Sequence, residues 1–539
     1  MQLIKASVVL FVAAAWLVIA TPTLADTTSD GDSKDKAAAK LEGSARMAAR
    51  IDAQFEQMWA TDHIEPAPVT SDGAFLRRAY LDLNGVIPRA AEVRDFLADK
   101  NPEKRVQLVD RLLASPRYST HMATNWRNRI IPVNADATRG PQALALQKWL
   151  RTRFAKNLRY DNLVGELLLT LGGDELGPAL YYQANDVSPE KLATNTAELF
   201  LGVHLQCAQC HDHPTAAWKQ TDFWGLAAFF ARVKAPDDRN NPMQMSYRLV
   251  DADDGDVRLP ESNEVVLPKY PGGDLAAAEE RRTRRLQLAL WLTSRDNDYF
   301  SRAAVNWAWA QLFGRGLVES LDDTTAAAGN TQLLNELAEY FVESGYDLRN
   351  LWRTLAITKV YQLSAGQAAP NADPPKHFER MLAKPLTPEQ LYDSFSMLTP
   401  LTMAKTDAYG PAPNAVPGML AEDPLRADFV RRMRPPPGSA TEYRAGTLQA
   451  LMLMNGRAMT EMTATGSSNL LGALSAPFMS DDERVNALFL STLAREPESD
   501  ESSTCLAALK ECKDSSERDT ALSDILWALL NSTEFAFNQ

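Results

Sequence analysis

Apolar positions recur about every 3.6 residues over most of the chain after residue 46, the pattern of helices with one buried face. It predicts helices over 72–81 (DGAFLRRAYL), 103–114, 142–158 and 160–170. Ser188-Pro189-Glu190 reads as a helix start, with a serine cap, proline at the first helical position and an early acid. The helix it opens, KLATNTAELFLGVHLQ, is expected to run up to Cys207. Another start at Thr221-Asp222 leads into FWGLAAFFARV. Between about 234 and 275 the period is lost, because Pro236, Pro242, Pro260, Pro268 and Pro271 interrupt it. Runs at 247–250 and 265–267 read as short strands, with a solvated linker as the alternative. Helical periodicity returns at 279–293 and continues through 299–313, 331–343, 348–359 and 388–398. A proline-rich break over 411–437 contains Arg431, Arg432 and Arg434, and reads as a solvated loop or a local contact surface. Two or three helices are expected over 481–539, and no repeat of fixed period is visible. The fold class is mostly α: two helical domains, 46–233 and 276–539, joined by an irregular connector (234–275) with possible short strands.

The first residues follow a different pattern. Lys5 precedes an uncharged run, ASVVLFVAAAWLVIA, and Thr23-Leu24-Ala25 offers a small-residue exit. A positive start, a ~7–15-residue apolar core and such an exit describe a secretory signal peptide over 1–25. The run is shorter than the ~20 residues that span a bilayer, which disfavours an uncleaved anchor. Residues 26–45 read as a flexible leader. The expectation is a periplasmic or otherwise exported protein that meets a membrane only through an uncleaved signal segment. Composition adds limits. The chain has 539 residues, 45% hydrophobic and 23% charged, as globular proteins do. The net charge of −13 argues against nucleic-acid binding, which needs a basic surface.

One constellation carries chemistry. Cys207-Ala208-Gln209-Cys210-His211 is a C-x-x-C-H sequence, the attachment signature for c-type haem. Cys207 and Cys210 would hold one covalent haem c through two thioethers, and His211 would be the proximal iron ligand. Trp218, Phe223, Trp224, Phe229 and Phe230 follow it, and either shield a porphyrin face or form plain core. Met243 and Met245 are candidates for the second axial ligand, with His204, His63 and His121 as others; the site is otherwise five-coordinate. Three rival readings stay open: a redox-active or structural disulfide between Cys207 and Cys210, a zinc site adding His211 and His213, and inert cysteines. Cys505 and Cys512 lie in a helix-like segment. In a continuous helix they would be ~10.5 Å apart along the axis, beyond the ~7 Å limit for a disulfide.

Other signatures are weak. Leu171-Gly172-Gly173-Asp174 lacks the spacing of a phosphate or dinucleotide loop, and neither HExxH nor G-x-S-x-G occurs. Asp212 reads as an acid–base group, a helix-end residue or a haem-propionate neighbour. Asp322-Asp323 reads as solvent-facing.

Longer blocks carry a family resemblance. LGVHLQ followed by CAQCHDHP and WKQTDFWGLAAFFARV resembles the planctomycete secreted cytochrome-like (PSCyt-type) domain, as do FLRRAYLDLNGVIPRAAEVRDFL and KRVQLVDRLLASPRY. LALWLTSRDNDYFSRAAVNWAWAQLFGRGLVESLDD, SGYDLRNLWRTLAITKVYQLS, KPLTPEQLYDS, TLQALMLMNG and ILWALLNSTEFAFN resemble the companion PSD-type domain. Both domains are of unknown function; the cytochrome label rests on the motif matched here by Cys207, Cys210 and His211. The resemblance implies a secreted bacterial protein. Two departures stand out: the connector is too short for the additional β domain of some relatives, and TTAAAGNTQLLNELAEYF replaces a proline-rich segment with a histidine. Together these readings lead to an exported monohaem electron-transfer protein with a redox partner protein. The alternative is a haem-free periplasmic binding or assembly protein whose C-x-x-C is a disulfide or metal clip. A haem enzyme with an open coordination position is a third possibility.

Overall fold

The structure is a computed structural model. It describes residues 28–131, 140–172, 176–212, 217–235, 248–277, 282–321, 323–324, 329–366, 375–399, 423–434, 451–454, 456–466 and 468–539. The signal-peptide segment 1–25 lies outside them. The chain divides into a short unit, Met1–Gly43, and a body, Ser44–Gln539. Helix Thr28–Asp62 begins inside the segment read as a leader. No helix of the described residues is long and apolar enough to cross a membrane.

The fold is mostly α. The helices expected from periodicity form at Asp72–Asn84, Lys104–Ala114, Gly140–Ala155 and Tyr160–Leu169. Those of the second half form at Arg284–Leu292, Asp298–Phe313, Thr331–Glu343, Leu348–Ala356 and Pro388–Leu398. The proline-rich break contains a helix of its own, Pro424–Met433, started by Asp423 and by proline at the first helical position. The last stretch holds Asp481–Leu493, Ser499–Lys510, Ser515–Leu530 and a single turn, Thr533–Ala536.

Among the described residues the strands form two-residue antiparallel pairs. Both strand runs read in the connector are present in part, but they do not pair with each other. Val250 lies opposite Lys234, while Val265 and Val266 lie opposite Arg258 and Val257. The third pair joins Lys384–Pro385 to Phe537–Asn538. The connector is not a solvated linker at its far end. The Tyr270 ring stacks between Phe229 (5.1 Å) and Trp291 (5.0 Å), and Lys269 Nζ donates to Asp222 at 2.7 Å.

The two helical regions share one core, and a second cluster gathers residues between Leu386 and Phe535 with Leu81 and Ile87. One contiguous cluster runs from Ile51 through Phe230 to Trp352 and Leu490. Rings from the two halves meet inside it: Trp126 with Trp307 at 4.9 Å and Tyr160 stacked on Phe300 at 4.7 Å. Helix Asp72–Asn84 runs through the centre. Ser71 caps its start, and Gly85, at φ 72°, closes its end with an N–H bond to the Leu81 carbonyl. It is buried nearly all round, charges included, so each charge needs an internal partner. Arg77 donates to the carbonyls of Thr492 and Phe535. Arg78 donates to those of Tyr361, Leu363 and Gln539. Asp82 accepts from Tyr361 Oη (2.8 Å), Lys384 Nζ (2.7 Å) and Asn538 Nδ2 (2.8 Å). One helix thus stitches the first half to four distant segments of the second.

Candidate functional site

The start read at Ser188 is correct: its side chain accepts from the Lys191 N–H and Pro189 follows. The helix does not reach Cys207. It runs α over Pro189–Thr196, widens to a π turn over Ala197–Leu201, and stops at Gly202. Gly202 sits at φ 57°, and its carbonyl accepts from Thr324 N at 2.7 Å. A β carbon there would lie 2.9 Å from Thr324 Cγ2, so this approach requires glycine. The chain then forms a 3-10 turn, Gln206–Gln209, with Ala208 buried and Cys207 and Cys210 exposed. Trp224 Nε1 and Gln220 Nε2 tie down the Gln209 and Cys210 carbonyls. His211 is exposed, with Nδ1 2.7 Å from the Asp212 carbonyl oxygen. Asp212 Oδ1 accepts from Gln220 N at the start of helix Gln220–Ala228, which is the helix-end role.

A cavity of about 500 Å³ opens elsewhere in the body. Phe55 and Met58 line it from the end of helix Thr28–Asp62, and Gly316, Leu317, Gly329 and Asn330 from the segment after Phe313. Lys376, His377 and Phe378 close a third side. Phe378 holds a left-handed backbone (φ 53°), a conformation that costs a β-carbon residue roughly 1–3 kcal/mol unless its surroundings impose it. Here they do. Its ring packs edge-on against Phe55 (5.7 Å), Trp309 (5.4 Å) and Phe313 (5.9 Å), and the Arg315 guanidinium lies 4.5 Å above it.

Arg315 dominates the electrostatics of this cavity. Its Nη2 donates to the Pro375 and Lys376 carbonyls, whereas its Nε is buried with no acceptor. Burial pushes its pKa below the ordinary arginine value, against the pull of Glu319 and Glu379. Lys376 and His377 both bond Asp62 Oδ2, at 2.8 and 2.7 Å, and together hold that carboxyl below its usual range. Glu379 accepts from the Lys376 and His377 N–H groups. Glu319 is exposed at the rim. The cavity therefore offers an apolar floor, an arginine with unused donors and one rim carboxylate.

Two family models match the chain. Residues 50–235 match PSCyt2, described as a protein of unknown function (DUF1549). Residues 284–432 match PSD1, described as a protein of unknown function (DUF1553). The chain thus carries a PSCyt2 segment followed by a PSD1 segment. No curated protein and no solved structure matches it. The cavity lies across the pair: Phe55 and Met58 come from the PSCyt2 segment, and Arg315, Asn330 and His377 from the PSD1 segment.

These findings correct the functional expectation. The PSCyt2–PSD1 pair has no assigned function, so family membership supplies no haem role. Among the described residues no group of three or more His, Cys, Asp or Glu side chains is able to hold a metal ion. The five rings read as a porphyrin shield are core: Trp218, Phe223, Trp224, Phe229 and Phe230 are all at most 8% exposed. The surroundings of Cys207, Cys210 and His211 therefore do not fit an enclosed porphyrin, and the exported monohaem electron-transfer reading does not hold. Its redox partner protein loses its basis with it. Nor does the clip reading hold, since all four cysteines are free. Cys505 lies in helix Ser499–Lys510 and Cys512 beyond its end.

The other proposed ligands scatter. Met243, Met245 and His213 lie outside the described residues. His204 is half-exposed, 3.7 Å from Glu198, and His63 is exposed just past the end of helix Thr28–Asp62. His121 is packed under Gly85, where its Nε2 meets Asn125 Nδ2 at 3.2 Å. Sequence reasoning missed Arg315, His377 and Asp62, because nothing in local spacing links positions so far apart. The block LFGRGLVESLDD contains Arg315 between two glycines after a helix, a visible turn signal with no visible partner.

Proposed function

We propose that this chain is an exported binding protein for a small organic anion with an apolar body, held in the cavity between its PSCyt2 and PSD1 segments. The observation that carries the reading is Arg315, whose guanidinium lies over the Phe378 ring on the wall of a cavity of about 500 Å³. That volume falls within the ~300–1,000 Å³ of typical ligand sites, and the mixture of apolar walls with few polar groups is also typical. The Pro375 and Lys376 carbonyls fix Nη2, and a guanidinium so held on a cavity wall suits a carboxylate or similar oxyanion. Phe55, Met58, Leu317 and Phe378 would take the apolar part. The signal-like residues 1–25 support export.

The test is a tryptophan-fluorescence titration, read by Trp309, which stacks on Phe55, and Trp59. The probes are phenylpropionate and octanoate, each compared with its amide. The carboxylates should saturate the signal about tenfold more tightly than the amides, a difference of about 1.4 kcal/mol. Arg315→Gln should erase that preference while keeping the helical circular dichroism. Equal affinity for acid and amide, or no saturable binding of either acid, overturns the reading.

A further inference from the structure

A second, smaller concavity of about 110 Å³ has the opposite chemistry. Asn84 and Gly85, at the end of the central helix, form one wall. Thr120, His121 and Asn125 face it from helix Pro116–Ile130, and Glu389 and Asp393 from helix Pro388–Leu398. No Phe, Tyr or Trp ring lines it, and Val86 is its single large apolar side chain.

Its acids are already neutralised. Glu389 accepts from Asn128 Nδ2 at 3.0 Å and from Arg127 Nη2 at 3.3 Å. Asp393 accepts from Nε and Nη2 of Arg426, at 2.8 and 2.9 Å. Burial pushes His121 down to about 4, so its ring is neutral at pH 7. Arg117 is exposed at the mouth. Inside, hydrogen-bonding capacity remains without net charge. Asn84, 6% exposed, lines the wall with a carboxamide, beside the hydroxyls of Thr120 and Thr387 and the carboxamides of Asn125 and Gln390. Room for about three or four waters, at ~30 Å³ each, equals that for one short polyol.

We propose that this pocket is a binding site for a small, neutral, polyhydroxylated molecule, of the size of a three- or four-carbon polyol. Hydroxyl groups both donate and accept, which matches a wall of carboxamide, hydroxyl, imidazole and already-paired carboxylate groups. A carboxylate ligand would meet Glu389 and Asp393, and an apolar one would strand their neighbours. The site is separate from the Arg315 cavity and does not depend on what binds there.

The experiment is isothermal titration of the full chain with glycerol, 1,2,4-butanetriol, erythritol, threitol and dihydroxyacetone, with cyclohexanecarboxylate and hexanediol as controls. At least one polyhydroxylated probe should bind one-to-one, with neither control matching it. Thr120→Val removes an exposed hydroxyl bonded only to the Pro116 carbonyl, so the variant should fold and bind about tenfold more weakly. Asn84→Leu should lose binding, with its urea midpoint reporting whether the fold persists. Heat from none of the five probes, binding unchanged in Thr120→Val, or equal binding of hexanediol would overturn the proposal and leave a pocket that holds water only.

Discussion

The Cys207–His211 turn and the Arg315 cavity are opposite kinds of site. The turn is contiguous in sequence and sits on the surface, with both thiols exposed and its neighbouring rings already in the core. The cavity has no sequence motif, yet it joins three segments through an aromatic cluster, an arginine with unused donors and a strained phenylalanine. Close spacing in sequence fixes which side chains are neighbours, but not whether the fold encloses them. Enclosure comes from long-range packing, and here that packing is concentrated where the two family segments meet.

The comparison implies that stability resides in this seam and not in the turn. Its largest test is Lys384→Met. Lys384 Nζ donates at 2.7 Å to Asp82 and to the Gln311 and Leu312 carbonyls, and its side chain is 18% exposed. Methionine fills similar space but leaves the Asp82 carboxylate buried without its cation. Removing one partner of a buried pair costs about 3–5 kcal/mol. Urea unfolding should show a loss of that size, and Lys384→Met/Asp82→Asn should recover part of it. A loss below about 1 kcal/mol would mean that the seam is not held by this pair.

A smaller effect sharpens the same point through pH. Burial holds His121 at about 4, against an ordinary 6.5, with Lys384 adding to the depression and Glu389 and a hydrogen bond to the Asp82 backbone opposing it. The unfolded chain therefore binds a proton near pH 6.5 that the folded chain refuses until about pH 4. The contribution is complete above pH 6.5 and is lost as pH falls from there to about 4. Because His121 is partly exposed, the loss is on the order of 2 kcal/mol. His121→Gln should flatten the stability profile over that window relative to the wild type. Parallel profiles would show that this ring does not resist protonation.

The helices were legible because each carries its own signal. Residues 331–343 and 388–398 formed where the period placed them, and Ser188-Pro189 started a helix as its cap chemistry requires. The end of that helix was not legible, because Gly202 is demanded by Thr324, 122 residues away. Strand partners were hidden for a similar reason: two-residue pairs leave no alternating pattern long enough to read. Cys207, Cys210 and His211 were found as a group because they are adjacent. Arg315 and His377, which line one cavity, and Asp62, which bonds His377, were not, since 253 residues separate Asp62 from Arg315 and only the fold brings them near.

The smallest expected effect bears on the turn itself. Cys207 and Cys210 are exposed and unpaired, and the turn is held by Gln220 and Trp224 through backbone carbonyls and by the buried Ala208, not by sulfur. Cys207→Ser/Cys210→Ser keeps that backbone and those anchors. Surface substitutions away from a packing or capping role stay within about 0.5 kcal/mol. The urea midpoint of the double variant should therefore match the parent under both oxidising and reducing conditions, and phenylpropionate titration should be unchanged. A loss above about 1.5 kcal/mol, confined to oxidising conditions, would show that the parent turn closes a disulfide in solution. The contrast between an inert surface turn and a structured seam would then fail at its simpler end.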